Sequence, residues 1–262
     1  QLTGAAAPEC ADMTGIDLRG RDLSNIHFGQ CDLTAARFDG AILNGAAFDE
    51  VVSLAAANFT GASLVGARFH LGSAKAADFT RVDAAGAEFD GILMGESPTT
   101  PTLKTTFAEA DLSGVRFTHL FDAKHVVFDG ANLASATVSS CIFSSSSFER
   151  VNLAGASLEM VDFDSSKNDW CKGGALQSDG KIIVVGYLKH GASRFDATIG
   201  RLNTDGSWDT SFSSDGKVIE HFDNDDMFQA VAIQADGKIV AVGTSQYNHT
   251  AGNILLARYN TD

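Results

Sequence analysis

Seven histidines (His27, His70, His119, His125, His190, His221 and His249) are the residues best suited to acid–base or metal chemistry. Their spacing supports neither. No HExxH pair and no other metal-ligand rhythm joins them. His27 reads as an ordinary surface residue. No GxSxG, Walker or GxGxxG motif is present. The serine run Ser144–Ser147 reads as structural. One carboxylate cluster, Asp223, Asp225 and Asp226, has the oxygen ligands that calcium takes. It lacks the glycine and terminal glutamate of an EF-hand loop, so a polar turn between strands is the stronger reading. Two sequons, at Asn58 and Asn248, fit N-glycosylation. The expectation is therefore no catalytic residue, no resident metal beyond those three weak candidates, and no cofactor.

The four cysteines, Cys10, Cys31, Cys141 and Cys171, form no CxxC pair. Zinc and thioredoxin-like chemistry are disfavoured, and an even count is compatible with two disulfides in an oxidising compartment. The alternative is four buried thiols. The chain carries 33 acidic and 19 basic residues, a net charge of −14, with the excess concentrated in residues 16–170. That disfavours binding to nucleic-acid phosphates, which rely on Lys and Arg. No run approaches the roughly 20 apolar residues of a membrane helix. The chain begins at Gln1, so the expectation is a removed leader or a fragment, and a cleaved secretory signal leaves such a start.

The elements behind these residues are set by repetition. Leu or Phe recurs every fifth residue: Leu18, Leu23, Phe28, Leu33, Phe38, then Phe59, Leu64, Phe69, Phe79, Phe89, Leu112, Phe117, Leu133, Phe143, Phe148, Leu153, Leu158 and Phe163. The phase slips by one near Leu54 and again near Asp122. Two residues before most of these stands a small residue such as Ala36, Ala57 or Ala77, and between the two a short polar one such as Asp32, Asn58 or Asp78. A period of five is neither 3.6 nor 2, so neither an amphipathic helix nor a simple strand explains it. The chain must turn a corner every five residues, with the large and small apolar residues inward.

Units such as ADLSG and ANLAS make residues 16–169 resemble the pentapeptide-repeat family. The resemblance implies an all-β fold, a right-handed quadrilateral β-helix of about 20 residues per coil. Stacking at about 4.8 Å over about seven coils gives a rod of about 35 Å. Residues 1–15 read as its N-terminal cap, and 95–106, which hold two prolines, as a loop ejected from the coil. Cys31 and Cys141 fall at the small inward position. Cys10 lies about one coil before Cys31, which favours a Cys10–Cys31 disulfide, with Cys141–Cys171 a second pairing.

From Cys171 onward the period of five is lost. LQSDGKIIVVG at 176–186 returns as IQADGKIVAVG at 233–243, a shift of 57. Apolar runs alternate with Asp-Gly pairs, a hairpin signal. Residues 176–262 resemble the delta-sixty repeat, which implies incomplete β-propeller-like blades in a small antiparallel domain over 171–262. The first copy is expected to lack most of its leading strand and the second its last. The resemblance also implies a bacterial secreted or surface location. An unfinished sheet favours self-association, as a filament or other homo-oligomer, or union with another surface protein. The leading expectation is a non-enzymatic extracellular structural protein. The alternative is an acidic DNA mimic that binds an enzyme such as gyrase.

Overall fold

The computed structural model describes residues 12–95, 103–143, 146–153, 155–159, 169–190, 194–204, 207–222, 225–246 and 252–260. No helix occurs among them. The chain divides into two compact units, Gln1–Ala156 and Ser157–Asp262.

The first unit is a β-solenoid. Its outward polar position forms parallel columns of bridges, one running Asp17, Arg37, Asn58, Asp78, Thr106, Val127, Ser147. Longer pairings appear on another side, where β1 (Ala47–Asp49), β2 (Arg68–Ser73), β3 (Glu88–Leu93), β4 (Arg116–Thr118) and β5 (Thr137–Ser139) pair in parallel in chain order. Ser157–Glu159 (β6) falls in the second unit by sequence. Neighbouring coils are joined by backbone bonds such as Phe38 N–H to Asn58 O at 2.7 Å and Arg37 N–H to Ile16 O at 2.8 Å.

The five-residue pattern has a physical cause at each position. The polar residue before the large one folds its carbonyl or carboxylate oxygen onto the N–H two residues on: Asp32 to Thr34 at 3.0 Å, Asn58 to Thr60 at 2.8 Å, Asp78 to Thr80 at 2.8 Å. Short Asp and Asn side chains suit this turn. The corner that follows sits in the left-handed region, as at Ala35 (φ 57), Gly40 (φ 66) and Ala56 (φ 57). Glycine is comfortable there, but the corner does not demand it.

The interior is filled by phenyl rings. Phe28, Phe48, Phe69 and Phe89 form one column, with stacked rings 5.0, 4.5 and 4.6 Å apart. Phe38, Phe59, Phe79, Phe107, Phe128 and Phe148 form a second, spaced 4.7 to 5.3 Å. Rings of the two columns meet edge to face, as Phe59 and Phe69 do at 6.0 Å. Stacked and T-shaped arrangements are both favourable for aromatic pairs.

One expected break is shorter than the sequence implied. The bridge from Asp78 to Thr106 spans 28 residues where Asn58 to Asp78 spans 20, so eight residues leave the coil. Thr105 and Thr106, assigned to the loop 95–106, belong to the coil. Thr105 takes the small inward position, buried, and its hydroxyl lies 2.7 Å from Met94 O and 3.0 Å from Ala74 O. Residues 96–102 of that loop lie outside the described residues.

In the second unit, β7 (Asp169–Leu176), β8 (Ile182–His190) and β9 (Arg194–Leu202) form an antiparallel meander, and β10 (Lys217–Glu220) pairs with the outer side of β9. β11 (Asp225–Ile233), β12 (Ile239–Gln246) and β13 (Asn253–Tyr259) repeat the meander. The sheet order is β13-β12-β11-β9-β8-β7. The expectation that the first copy lacks most of its leading strand is corrected: β7 is that strand, and it crosses the expected boundary at 170/171. Its sequence hid it, because Gly173 stands where a Cβ would meet Ala230 Cα at 3.2 Å. The core lies between the two meanders, where Ile183, Val185, Ala197 and Ile199 of the first meet Phe228, Ile239, Ala241 and Leu255 of the second.

Candidate functional site

The ladder residues are interior. Leu23, Phe28, Leu33, Phe38, Phe59, Leu64, Phe69, Phe79, Phe89, Leu112, Phe117, Leu133, Phe143, Phe148, Leu153 and Leu158 are all buried. Leu18, in the first described coil, is only half-buried. Phe163 lies outside the described residues.

On the outside of the solenoid, polar side chains satisfy one another between coils. Asp49 accepts from Arg68 Nε and Nη2 and lies 3.5 Å from His27 Nε2. Hydrogen bonds from Arg68 hold its carboxyl below the usual range. Asp90 is set between two histidines, His70 Nδ1 at 3.1 Å and His119 Nδ1 at 2.8 Å, and accepts from the Thr118 hydroxyl at 2.7 Å. Burial pushes the Asp90 carboxyl up. The bonds from His119 and Thr118 and the two histidine charges outweigh that and hold it low. Sequence reasoning missed this cluster, since its members stand 20 and 29 residues apart, and only coil stacking joins them.

The cysteine expectations divide. Cys31 is buried at the inward position, and Cys10 lies outside the described residues. The pairing of Cys141 with Cys171 is corrected: Cys141 is a free thiol. Its Sγ is sealed in the coil, 3.3 Å from Ser139 O and 3.5 Å from Phe117 O, and burial pushes the thiol up to about 12. Cys171 lies in β7.

The polar turn expected of the carboxylate cluster is corrected at Asp225 and Asp226. Asp225 and Asp226 open β11 and are buried, and Asp226 Oδ2 accepts from Phe222 N–H at 2.6 Å. Asp223 lies outside the described residues. Among the described residues, no group of three or more His, Cys, Asp or Glu is arranged to hold a metal.

The second unit has a cleft of about 650 Å³ between its Asp179-Gly180 and Asp236-Gly237 turns, lined by Gln177, Lys181, Arg201, Ser211, Ile233 and Asp236 among others. Its charges are largely spent. Asp209 Oδ2 accepts from Arg201 Nε at 2.6 Å and Lys181 Nζ at 2.8 Å. Burial pushes the Asp209 carboxyl up, but bonds from Lys181, Ser211 and Arg201 hold it well below the carboxylate range. The Arg201 guanidinium also lies 4.8 Å from the Phe212 ring centroid, a cation–π distance. Together these atoms pin residues 207–216 onto β9: Asp209 N–H bonds Arg201 O at 2.8 Å, and Arg201 N–H bonds Gly216 O at 2.9 Å.

Among the described residues β13 ends the sheet, and Ile254 and Leu256 are 86% and 68% exposed. Their equivalents 57 residues earlier, Ala197 and Ile199, are buried in the core between the two meanders.

The coil built on stacked five-residue corners is a pentapeptide-repeat solenoid, and the paired meanders are propeller-like blades. Comparison with known families agrees: pentapeptide repeats, eight copies, match residues 11–48 and 123–167, and the domain of unknown function DUF5122, a beta-propeller, matches 177–212 and 234–262. The chain is thus a fusion of pentapeptide repeats with a DUF5122 beta-propeller-like segment. No curated protein matches it. Among solved structures it is similar to HetL, a pentapeptide repeat protein involved in heterocyst differentiation regulation in the cyanobacterium Nostoc sp. strain PCC 7120. The identity is 22% over 58% of this chain and 72% of that one, with TM-score 0.28. It is also similar to the pentapeptide repeat protein Rfr23 of the cyanobacterium Cyanothece 51142, at 16% over 58% and 91%, TM-score 0.26. QnrB1, a plasmid-mediated fluoroquinolone resistance protein, aligns at 16% over 62% and 80%, TM-score 0.29. Among the described residues no helix is long and apolar enough to cross a membrane.

Proposed function

We propose that the chain is a non-enzymatic structural and interaction protein, secreted or held at a bacterial surface, that associates through the open edge of its second unit. Its fullest form is a subunit of an extracellular fibre. The observation that carries this reading is β13, which among the described residues is an edge strand with Ile254 and Leu256 exposed. A flat apolar edge is a template for strand addition. Contacts that repeat head to tail without closing build filaments. The solenoid supports the reading as a scaffold, since its interior is filled by rings and its outward charges pair with one another. An oxidising location also fits a Cys10–Cys31 staple.

Sedimentation velocity and negative-stain microscopy of the full chain test the proposal. Concentration-dependent association, lost in Leu256→Asp, is expected. A monomer at every concentration overturns it. The acidity of residues 16–170 favours a second reading, a DNA mimic. Arg19–Asp17 and Arg68–Asp49 pairs interrupt that acidic surface. A gyrase supercoiling assay unaffected by the protein removes it.

A further inference from the structure

The cleft between the Asp179-Gly180 and Asp236-Gly237 turns holds a group that the fold does not use. Gln177 lines it and is 7% exposed, and its Oε1 is buried with no hydrogen-bond partner among the described residues. The turn closes without that side chain: Gln177 N–H bonds Lys181 O at 2.8 Å, and Gly180 N–H bonds Gln177 O at 3.0 Å. The second turn closes the same way, with Gln234 N–H on Lys238 O at 2.8 Å and Gly237 N–H on Gln234 O at 2.9 Å. Buried side-chain acceptors are normally paired, because a bare one has lost its water for nothing. An unpaired amide oxygen in a cleft wall is a place for a donor that a guest brings.

The rest of the lining selects the guest. The cations Lys181 and Arg201 are matched by the carboxylates of Asp179 and Asp236, and Asp209, bonded to both cations, adds a further negative charge. A phosphate or other anion finds no spare positive charge there. Lys181 Nζ is 2.8 Å from Asp209 Oδ2, and an ammonium carries more protons than that one bond uses. Asp179 and Asp236 are exposed, and each accepts from the N–H two residues on, at 3.1 and 3.2 Å. Carboxylates have further lone pairs for hydroxyl donors. Ile233 adds an apolar patch to the wall. At about 650 Å³ the cleft falls within the range of small-ligand sites, about 300–1,000 Å³.

We infer that this cleft binds a neutral N-acetylated sugar. The acetamido N–H donates to Gln177 Oε1, and the acetyl carbonyl accepts from Lys181 Nζ. The acetyl methyl packs on Ile233, and ring hydroxyls donate to Asp179 and Asp236. A peptide also offers amide N–H groups but lacks the hydroxyls that the two carboxylates accept.

The test titrates the full chain with triacetylchitotriose by isothermal calorimetry. Saturable binding is expected. Maltotriose has the hydroxyls without the acetamido group, and acetyl-trialanine amide has the amides without the hydroxyls. Each should bind about tenfold more weakly or worse, the cost of a lost hydrogen bond. Gln177→Met keeps the side chain's length, removes its oxygen, and should weaken trisaccharide binding about tenfold. The second unit of that variant, followed by tryptophan fluorescence, should melt no lower than in the native chain, because a bare buried acceptor has gone. Arg194→Glu, at the opposite end of β9 from Arg201, should bind as the native chain does. No saturable binding of the trisaccharide overturns the inference. Equal binding of either comparison ligand, or equal binding by Gln177→Met, also overturns it. A lower melting temperature for Gln177→Met does so too, since the amide then serves the fold.

Discussion

Replacing Phe69 by alanine tests whether the ring columns hold the solenoid together. Phe69 is fully buried and touches four other rings: Phe48 at 4.5 Å and Phe89 at 4.6 Å within its column, Phe59 at 6.0 Å and Phe79 at 5.8 Å across it. A buried Phe→Ala change costs about 3–5 kcal/mol from lost transfer energy and the cavity left behind. Aromatic pairs add about 0.5–1.5 kcal/mol beyond their buried area. With rings on four sides, Phe69→Ala should lie at or above the top of the first range, about 5 kcal/mol. Phe28 is also buried but among the described residues has ring contacts with Phe38 at 5.7 Å and Phe48 at 5.0 Å only. Phe28→Ala should cost less, about 3 kcal/mol. Phe69→Leu keeps most of the volume and should cost about 1–3 kcal/mol. Guanidinium unfolding followed by far-UV circular dichroism measures the three. The tryptophans, Trp170 and Trp208, fall in the second unit, so their fluorescence gives a separate readout of it. A cost for Phe69→Ala below that of Phe28→Ala would falsify the claim that stacked rings are the main source of coil cohesion.

Three further outcomes follow from local geometry. With its thiol pushed up to about 12, Cys141 should resist an alkylating reagent at pH 8 in the folded chain and react fully in denaturant, as mass spectrometry would register. Asp209→Asn leaves Arg201 buried without its carboxylate and should cost about 3–5 kcal/mol at neutral pH. The sign in acid is set by the lowered Asp209 carboxyl: its contribution is complete above the unfolded value of about 3.9 and is lost as pH falls through the lower folded value. Tryptophan-monitored stability of the native chain should therefore fall on acidification below about pH 4, and Asp209→Asn should flatten that limb. Ala56 holds φ 57 at a corner, a conformation costing about 1 kcal/mol for a residue with a Cβ, so Ala56→Gly should raise the solenoid's melting temperature by about 2–4 °C. A lowered melting temperature would mean that the alanine methyl contributes more in packing than it costs in strain.

The sequence made the solenoid legible because each position of the five answers a separate local demand. Large inward residues fill the coil, small ones fit its corners, and Asp or Asn closes the turn. What escaped notice lay where two demands conflict or where tertiary contact overrides local pattern. Thr105 reads as loop by polarity, yet its hydroxyl finds two carbonyls inside the coil. β7 carries Gly173 and Gly174 in place of strand-forming residues, because Ala230 and Leu158 press against it. Asp225 and Asp226 read as a turn and are buried strand residues. The cluster of His70, Asp90 and His119 was beyond any local window.

The coil that contains the eight-residue excursion keeps its place in the ring columns. Phe79 and Phe107 stack at 4.7 Å, the spacing that Phe38 and Phe59 have two steps earlier. Chain length and axial rise are thereby uncoupled. Such a rod counts distance in turns and not in residues, so its corners can lengthen and diversify while every site above them stays at the same height.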